Sequence, residues 1–469
     1  MLSACQPHRL LGDWMAPASA AAQPPTQRPA YSTAPDHFVS GWVPYWSGAS
    51  GRTAIESSPR SIGDVSPLWY GTTNDGSLTL LGSASNLQAV VAATRAAGLP
   101  LIPGIFDSTG AGVMSGILGD PVTRAAHVKN IVDLVMAKGY DGIDIDYEVF
   151  AFDHPGEPWP AITPKWVAFV NELSAGLHAK GKLLSITVPP VWNNGLSGYT
   201  VYAQDQIAPV IDRLRLMVYD WSISAPGPIS PMTWVTSVIA YSSSVVPVSK
   251  LQLGVPAYGR HWVTKKNSNE TCPDAAIYRE SVLMKNIGAL AAGRTVTRHS
   301  SGELTFSWTQ SVTGPRTKPV APPVVPPAPF PVTAVNGPAG GGSLQPALRL
   351  TPPSSQVTCT VQHTVFVPDA FSVDQRSDTA QAAGWRGIIL WAFGYESSDL
   401  YQVLASWGAR HARLSADRRS ALPPGNPPRI RCGHTAVHGP VPVSRNRLME
   451  VIACLVRTSS PEPAHRSAR

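Results

Sequence analysis

The chain is short of charge, of cysteine and of long apolar runs, and each shortage excludes something. Only 14% of its residues are Asp, Glu, Lys or Arg, against 43% hydrophobic, a balance that excludes wholesale disorder. No stretch approaches the roughly 18 consecutive apolar residues of a membrane-spanning helix, which excludes an integral helical membrane protein. Five cysteines in 469 residues are too few for a disulfide-dense scaffold. Lysine is missing altogether from residues 408–469, which carry 11 Arg against three acids, Asp417, Glu450 and Glu462. Taking these out of the 37 basic and 30 acidic residues of the whole chain leaves 26 and 27. The formal charge of +7 therefore belongs to the tail, the body stands at −1, and nothing in the body asks for nucleic acid.

What is abundant is proline, with 46 residues, and tryptophan, with 14. Residues 1–36 are rich in Ala, Pro, Gln, Ser and Thr without apolar periodicity and read as an export or anchor remnant followed by a linker. Leu2-Ser-Ala-Cys5 resembles a bacterial lipobox, pointing to a lipid anchor at Cys5 with its signal upstream of Met1, or else to a chance match. The expected location is secreted or bound to the cell envelope. Residues 409–469 read as a disordered Arg/Pro-rich tail, and its Cys432, His434 and His438 lack the fourth ligand and spacing of a zinc site. No cofactor or metal is expected, and the protein is expected to be a monomer.

Residues 37–408 form the body, alternating short β-rich runs with helical patterns. The runs are Phe38–Trp46, Val65–Tyr70, Leu99–Phe106, Tyr140–Glu148, Leu183–Pro190, Leu214–Tyr219, Leu251–Tyr258 and Gly387–Phe393. Between them Trp166, Phe169, Val170, Leu173 and Leu177 keep one helical face, as do Val128, Ile131, Val132 and Val135. Gly98, Gly139, Gly181 and Gly384 each close such a pattern just before a strand, where a left-handed residue is needed. Eight strands with helical crossovers predict an α/β fold, a parallel (β/α)8 barrel. A doubly wound open sheet is the alternative, but Gly41-Trp-Val-Pro-Tyr-Trp46 is not the glycine-rich phosphate turn that such sheets carry.

The seventh and eighth strands are too far apart for a simple crossover. The gap predicts a small α+β insertion over about 261–372, with a helix over Ile277 to Ala292 and strands at Leu304–Trp308 and His363–Val367. A Pro/Gly-rich excursion interrupts it at 315–343, with eight prolines between Pro315 and Pro331. Cys272 and Cys359 either stay free or pair, closing a loop that the chain-entropy treatment values at roughly 4–5 kcal/mol.

The most informative segment is Asp141-Gly-Ile-Asp144-Ile-Asp146-Tyr-Glu148. On a strand, Gly142, Asp144, Asp146 and Glu148 share one face and point into the barrel, ending at its C-terminal mouth, where barrel active sites are built. Ile143, Ile145 and Tyr147 face the helices, and Asp141 reads as a turn residue. Like charges so close raise one another's pKa, so one acid can stay protonated near neutral pH and act as a proton donor. No Lys or Arg follows on that strand, and burying three carboxylates for structure alone is costly without cations. Catalysis is the favoured reading.

This octapeptide resembles the DxxDxDxE signature of glycoside hydrolase family 18, the chitinase family. Met217-Val-Tyr219-Asp220, Gly254-Val-Pro-Ala-Tyr258-Gly-Arg260 and Leu390-Trp391-Ala-Phe resemble its strand-six, strand-seven and strand-eight motifs. Leu68-Trp-Tyr-Gly71 and Val365-Phe-Val-Pro-Asp369 are closest to bacterial cell-wall and spore-cortex N-acetylglucosaminidases. The resemblance implies cleavage of β-linked N-acetylglucosamine polymers, chitin or peptidoglycan, with Glu148 as acid/base and the substrate's own 2-acetamido group as nucleophile. Asp146 would then bind the acetamido N–H, Asp144 would share a proton with Asp146, and Tyr219 would bind the acetamido oxygen. Trp391 would floor the sugar site. Met217, Asp220, Tyr258 and Arg260, within the matching motifs, are expected to bind substrate, Asp220 and Arg260 by holding sugar hydroxyls unless they form a surface ion pair, and Trp46, Trp192 and Trp221 sit near the expected mouth with faces suited to sugar rings. Trp42 is expected in the core. The alternative is a non-hydrolytic carbohydrate-binding relative, which the presence of Glu148 disfavours.

Overall fold

The structure, a computed structural model, describes residues 38–152, 154, 156–316 and 355–404. Residues 1–37 with Cys5, the excursion beyond Arg316 and the basic tail lie outside the described residues.

Eight parallel strands close on themselves. They are β1 (Phe38–Pro44), β2 (Asp64–Thr72), β3 (Gly104–Phe106), β4 (Gly142–Asp146), β5 (Leu183–Val188), β6 (Arg213–Leu216), β7 (Leu251–Pro256) and β8 (Gly387–Trp391). Each pairs with its neighbour in sequence, β8 pairs with β1, and β1 pairs with β2, so no edge is left open in the ring. The expected (β/α)8 barrel is what the chain forms. The third strand is shorter than its apolar run, because ahead of Gly104 only Leu101 makes a bridge, to Val65.

Helices α1 (Gly48–Ser57), α2 (Ala84–Ala96), α3 (Pro121–Lys138), α4 (Trp159–His178), α5 (Met232–Val245) and α6 (Ala370–Ala382) pack outside. In α4 the stripe of Trp166, Phe169, Val170, Leu173 and Leu177 is buried throughout, as its 3.6-residue period requires. The Asp120 carboxylate caps α3 by accepting from Val122 N and Thr123 N at 2.9 Å. Gly139, with φ +65°, ends the same helix and turns the chain straight into β4. Between β5 and β6 the crossover is made of a short antiparallel pair, Val191–Trp192 with Ser197–Gly198, 3-10 turns and a helix of four residues, Gln204–Ile207.

The insertion begins at Tyr258, directly behind β7. It is an antiparallel sheet in which Tyr258–Lys265 is flanked by Tyr278–Leu283 on one side and Ser355–Val367 on the other. Ser355–Val367 pairs with Leu304–Arg316 in turn. The helix expected over Ile277 to Ala292 is corrected: Tyr278–Leu283 is an edge strand, and helix is confined to a 3-10 turn, Met284–Asn286, and Ile287–Ala291. Tyr278 to Ser281 are exposed, so side-chain periodicity says little there, and the ladder to Tyr258–Val263 decides the conformation. Cys272 and Cys359 form a disulfide bonding the insertion's sheet to the loop before its edge strand.

Candidate active site

Strand β4 delivers the acids as its two-residue period demands. Ile143, Ile145 and Tyr147 face outward, the Tyr147 hydroxyl meeting His127 Nε2 on α3 at 2.7 Å. Asp144 and Asp146 face inward and are buried, and Glu148 stands just past the strand end at the mouth. Asp141 is a staple between strands, its carboxylate accepting from Leu101 N at 2.9 Å. At Gly142 a Cβ would come within 2.5 Å of Leu183 O, so the strand can lie this close to β5 only with glycine. The turn carrying Glu148 is tied down from β3: Asp107 accepts from Phe150 N at 3.0 Å.

The two outer acids are electrically alike. Burial, then the charges of Glu148 and Asp144, hold Asp146 well above the usual carboxylate range. Burial, with the Asp220 charge second, pushes Glu148 up to about 7. Glu148 therefore carries a proton for a large part of the time at neutral pH, as a general acid must. Burial also keeps the Tyr219 phenol protonated, with Tyr258, Asp146, Glu148 and Asp220 adding to the effect, so it acts as a donor.

Glu148 lines a cleft of about 480 Å³ together with Met217, Tyr219 and Asp220. Its walls are mostly aromatic and apolar: Phe152, Tyr199, Trp192, Trp221, Ile223 and Trp234. Trp192, Trp221 and Trp234 form a cluster with ring centroids 5.1–6.0 Å apart. Trp234, Phe152 and Tyr199 were not singled out in the sequence. Trp234 sits in α5 and Phe152 in a four-residue helix after Glu148, where a core role is the ordinary expectation.

The remaining expected residues divide. Asp220, in a left-handed conformation with φ +62°, accepts from Tyr258 Oη at 2.5 Å and pairs with Arg260 Nη2 at 2.6 Å. Tyr258 and Arg260 thus stand behind Asp220 and do not line the cleft. Trp391 and Trp46, with ring centroids 6.3 Å from each other, are not among the residues lining that cleft, but Trp391 packs against the same apolar cluster as Tyr219. Trp46 is 57% exposed and donates to Tyr395 Oη at 2.6 Å. Trp42 is in the core as expected, but its indole N–H also donates to Asp144 at 3.0 Å. The expectation that the acids lack a cation is corrected too: Arg215 reaches Asp144 from β6.

Residues 108–321 match the sequence model of glycosyl hydrolases family 18. Over these residues, a little under half of its length, the chain is similar to that family. It is 32% identical over 154 residues to the Bacillus subtilis (strain 168) protein named as sporulation-specific glycosylase YdhD, covering 32% of this chain and 34% of that one. It is also 32% identical over 217 residues to a chitinase-like effector of Moniliophthora roreri, covering 42% and 52%. The chain thus spans about a third to about half the length of these curated relatives. Among solved structures, a chitinase from Chromobacterium violaceum ATCC 12472 superposes with a TM-score of 0.58 at 21% identity, covering 80% of this chain and 99% of that one. That likeness is one of fold alone.

Proposed function

We propose that the protein hydrolyses β-linked N-acetylglucosamine polymers, of chitin or peptidoglycan type, with retention at the anomeric carbon. The observation that carries this reading is a single one: a half-buried carboxyl, Glu148, raised to about 7 at the end of an aromatic cleft, with a second raised carboxyl, Asp146, directly behind it. Glu148 gives its proton to the glycosidic oxygen as the C1–oxygen bond breaks. The acetamido oxygen of the same sugar forms the new bond to C1, giving an oxazolinium ion, as in the family's departure from the two-carboxylate scheme. Asp146 accepts the acetamido N–H, and its charge offsets the positive charge that develops there. Tyr219 donates to the acetamido oxygen. Glu148, now a carboxylate, takes a proton from the water that opens the ring of the intermediate, which returns the enzyme to its starting state. Trp391 floors the site from the β8 side, and Trp192 and Trp221 stack on the sugars of the cleft.

The substrate polymers lie outside the cell, so the reading includes export, a lipid anchor at Cys5, and action as a monomer. Its relatives' names, a sporulation-specific glycosylase and a chitinase-like effector, agree with a glycan as substrate. The test is hydrolysis of acetylated chito-oligomers beside purified peptidoglycan, with products identified by mass. Because the acid step needs Glu148 protonated, kcat/KM should fall as pH rises through about 7. Asp220→Asn removes the negative charge that contributes to the elevation, so that limb should move to lower pH. An alkaline limb unmoved by this change would remove Asp220 from the electrostatics of the site.

The cleft wall is held from the insertion, which gives a second measurable consequence. The Ile223 carbonyl accepts from Trp262 Nε1 at 2.9 Å and Arg279 Nη1 at 2.7 Å. Further along the loop, Ile229 N and Ser230 N donate to Glu303, which pairs with Arg376 at 3.0 Å. Arg279→Ala deletes one of the bonds that fix the wall, worth about 1 kcal/mol. It should raise KM for cleft-filling oligomers about five-fold and leave kcat nearly unchanged.

A further inference from the structure

The sheet of the insertion has two unlike faces. One is apolar, with Phe306, Val361 and Val365 pointing to it and buried. The other starts at the cleft. Along Tyr258–Lys265 the alternate residues Tyr258, Arg260 and Trp262 point that way. Tyr258 and Arg260 meet Asp220, and Trp262 donates to Ile223 O in the cleft wall at 2.9 Å. The register carries the same face outward, Trp262 standing beside Thr364 and Thr364 beside Ser307. From there its composition is uniform: alternate residues from Ser307 to Thr313, and from Thr364 back to Gln356, are all Ser, Thr or Gln. Those from Ser307 to Thr313 are exposed, as are Gln356 and Thr358. Ser307 to Thr313 covers about 20 Å at the rise of an antiparallel strand. None of these positions holds a charge. Lys266 borders them, its Nζ 3.3 Å from Gln362 Oε1.

We propose that this face is a docking surface for insoluble substrate: neighbouring strands of an uncharged N-acetylglucosamine polymer lie on it while one strand enters the cleft. The proposal rests on the hydrolytic reading above and adds where the polymer is held outside the cleft. Three observations select this occupant. The face is continuous with the cleft wall through Trp262, so a polymer seated in one is within reach of the other. A hydroxyl both donates and accepts, and a side-chain amide does each with a different atom, which matches a partner made of hydroxyls and amides. The face also strands no charge when an uncharged polymer covers it. A protein partner fits less well, because the cores of protein interfaces favour aromatic residues, Met and Arg and are poor in Ser. Each contact on such a face is weak. Held beside an occupied cleft, however, it acts at a high effective concentration, so weak contacts add to the retention of a polymer and not of a short oligomer.

The test uses the full chain with Glu148→Gln, so that polymer is bound and not consumed, and insoluble chitin as the probe in a co-sedimentation assay. Thr309→Glu with Ser311→Glu puts two charges on the face and should weaken adsorption about ten-fold. With Glu148 intact, the same pair should leave kcat/KM on a soluble acetylated chito-oligomer within about two-fold, because the cleft is untouched. Thr309→Ala with Ser311→Ala removes only the hydroxyls and should weaken adsorption about three-fold; this pair decides if the Glu pair does not fold. Unchanged adsorption by a folded variant overturns the proposal. So does an equal loss on the insoluble and the soluble substrate, which would mark a change in the site itself. Unchanged adsorption with an altered sedimentation coefficient gives the face to a second copy of the chain, and unchanged adsorption by the Glu pair that rises when residues 317–354 are deleted gives it to that segment; both results overturn the proposal. A wild-type chain that cleaves no acetylated oligomer counts against the hydrolytic reading instead, and adsorption still decides the role of the face.

Discussion

Glu148→Gln should reduce hydrolysis of acetylated chito-oligomers by about 10²–10⁴-fold while leaving the fold and oligomer binding intact. The amide has the shape of the protonated acid and can still hydrogen-bond a glycosidic oxygen, so affinity for the ground state survives. It has no proton to transfer as the C1–oxygen bond breaks, so the transition state loses its main support. The position makes a clean experiment. Glu148 stands past the end of β4 at the rim of the cleft, and no strand ladder or helix depends on its charge. Melting temperature and oligomer affinity should match the unsubstituted chain while kcat falls. Turnover within a few-fold of normal would remove Glu148 from the acid role and, with it, the proposed mechanism.

Why this residue was legible in the sequence, and others were not, follows from how each is specified. The row Asp144, Asp146, Glu148 obeys the period of a single strand, so spacing alone places the three on one face. The same holds for the helical stripe of α4 and for Gly98, Gly139, Gly181 and Gly384, all with positive φ. Arg215 obeys its own strand's period just as well, but its partners lie 71 residues away on β4 and 151 residues away on β2. Only the closing of the barrel brings them together, and local pattern carries no trace of that. Trp42 was read as core, and it is core; that its indole N–H also meets Asp144 depends on the same closure. The edge strand Tyr278–Leu283 was mistaken for helix because an exposed strand has no buried face to set a two-residue alternation. The walls of the cleft came half into view. Trp192 and Trp221 stand beside strand ends and drew notice, whereas Trp234 lies within α5 and Tyr199 in a turn with no motif of its own.

De-N-acetylated oligomers should be cleaved at least about 10⁵-fold more slowly than acetylated ones, the scale of the effective molarity of a well-placed internal nucleophile. The acids on the page leave little room for a protein nucleophile in its place. Asp144 lies at the barrel centre and is held by Arg215, Trp42 and Thr187. Asp220 faces the cleft, but its Oδ1 is engaged by Tyr258 and Arg260. Asp146 stands directly behind Glu148 and in the proposed mechanism is committed to accepting the acetamido N–H, so it is not free to attack the anomeric carbon. Removing the acetyl group therefore removes the nucleophile itself, and the free amine also leaves Asp146 without the amide N–H it is proposed to accept. The measurement is a direct comparison of kcat/KM on oligomers of equal length, with a search by mass spectrometry for a glycosyl adduct on the protein. Equal rates, or an adduct on Asp146 or Asp220, would put the nucleophile on the protein; strict dependence on the acetamido group would leave the substrate as its source and Asp146 as the residue that steadies its charge.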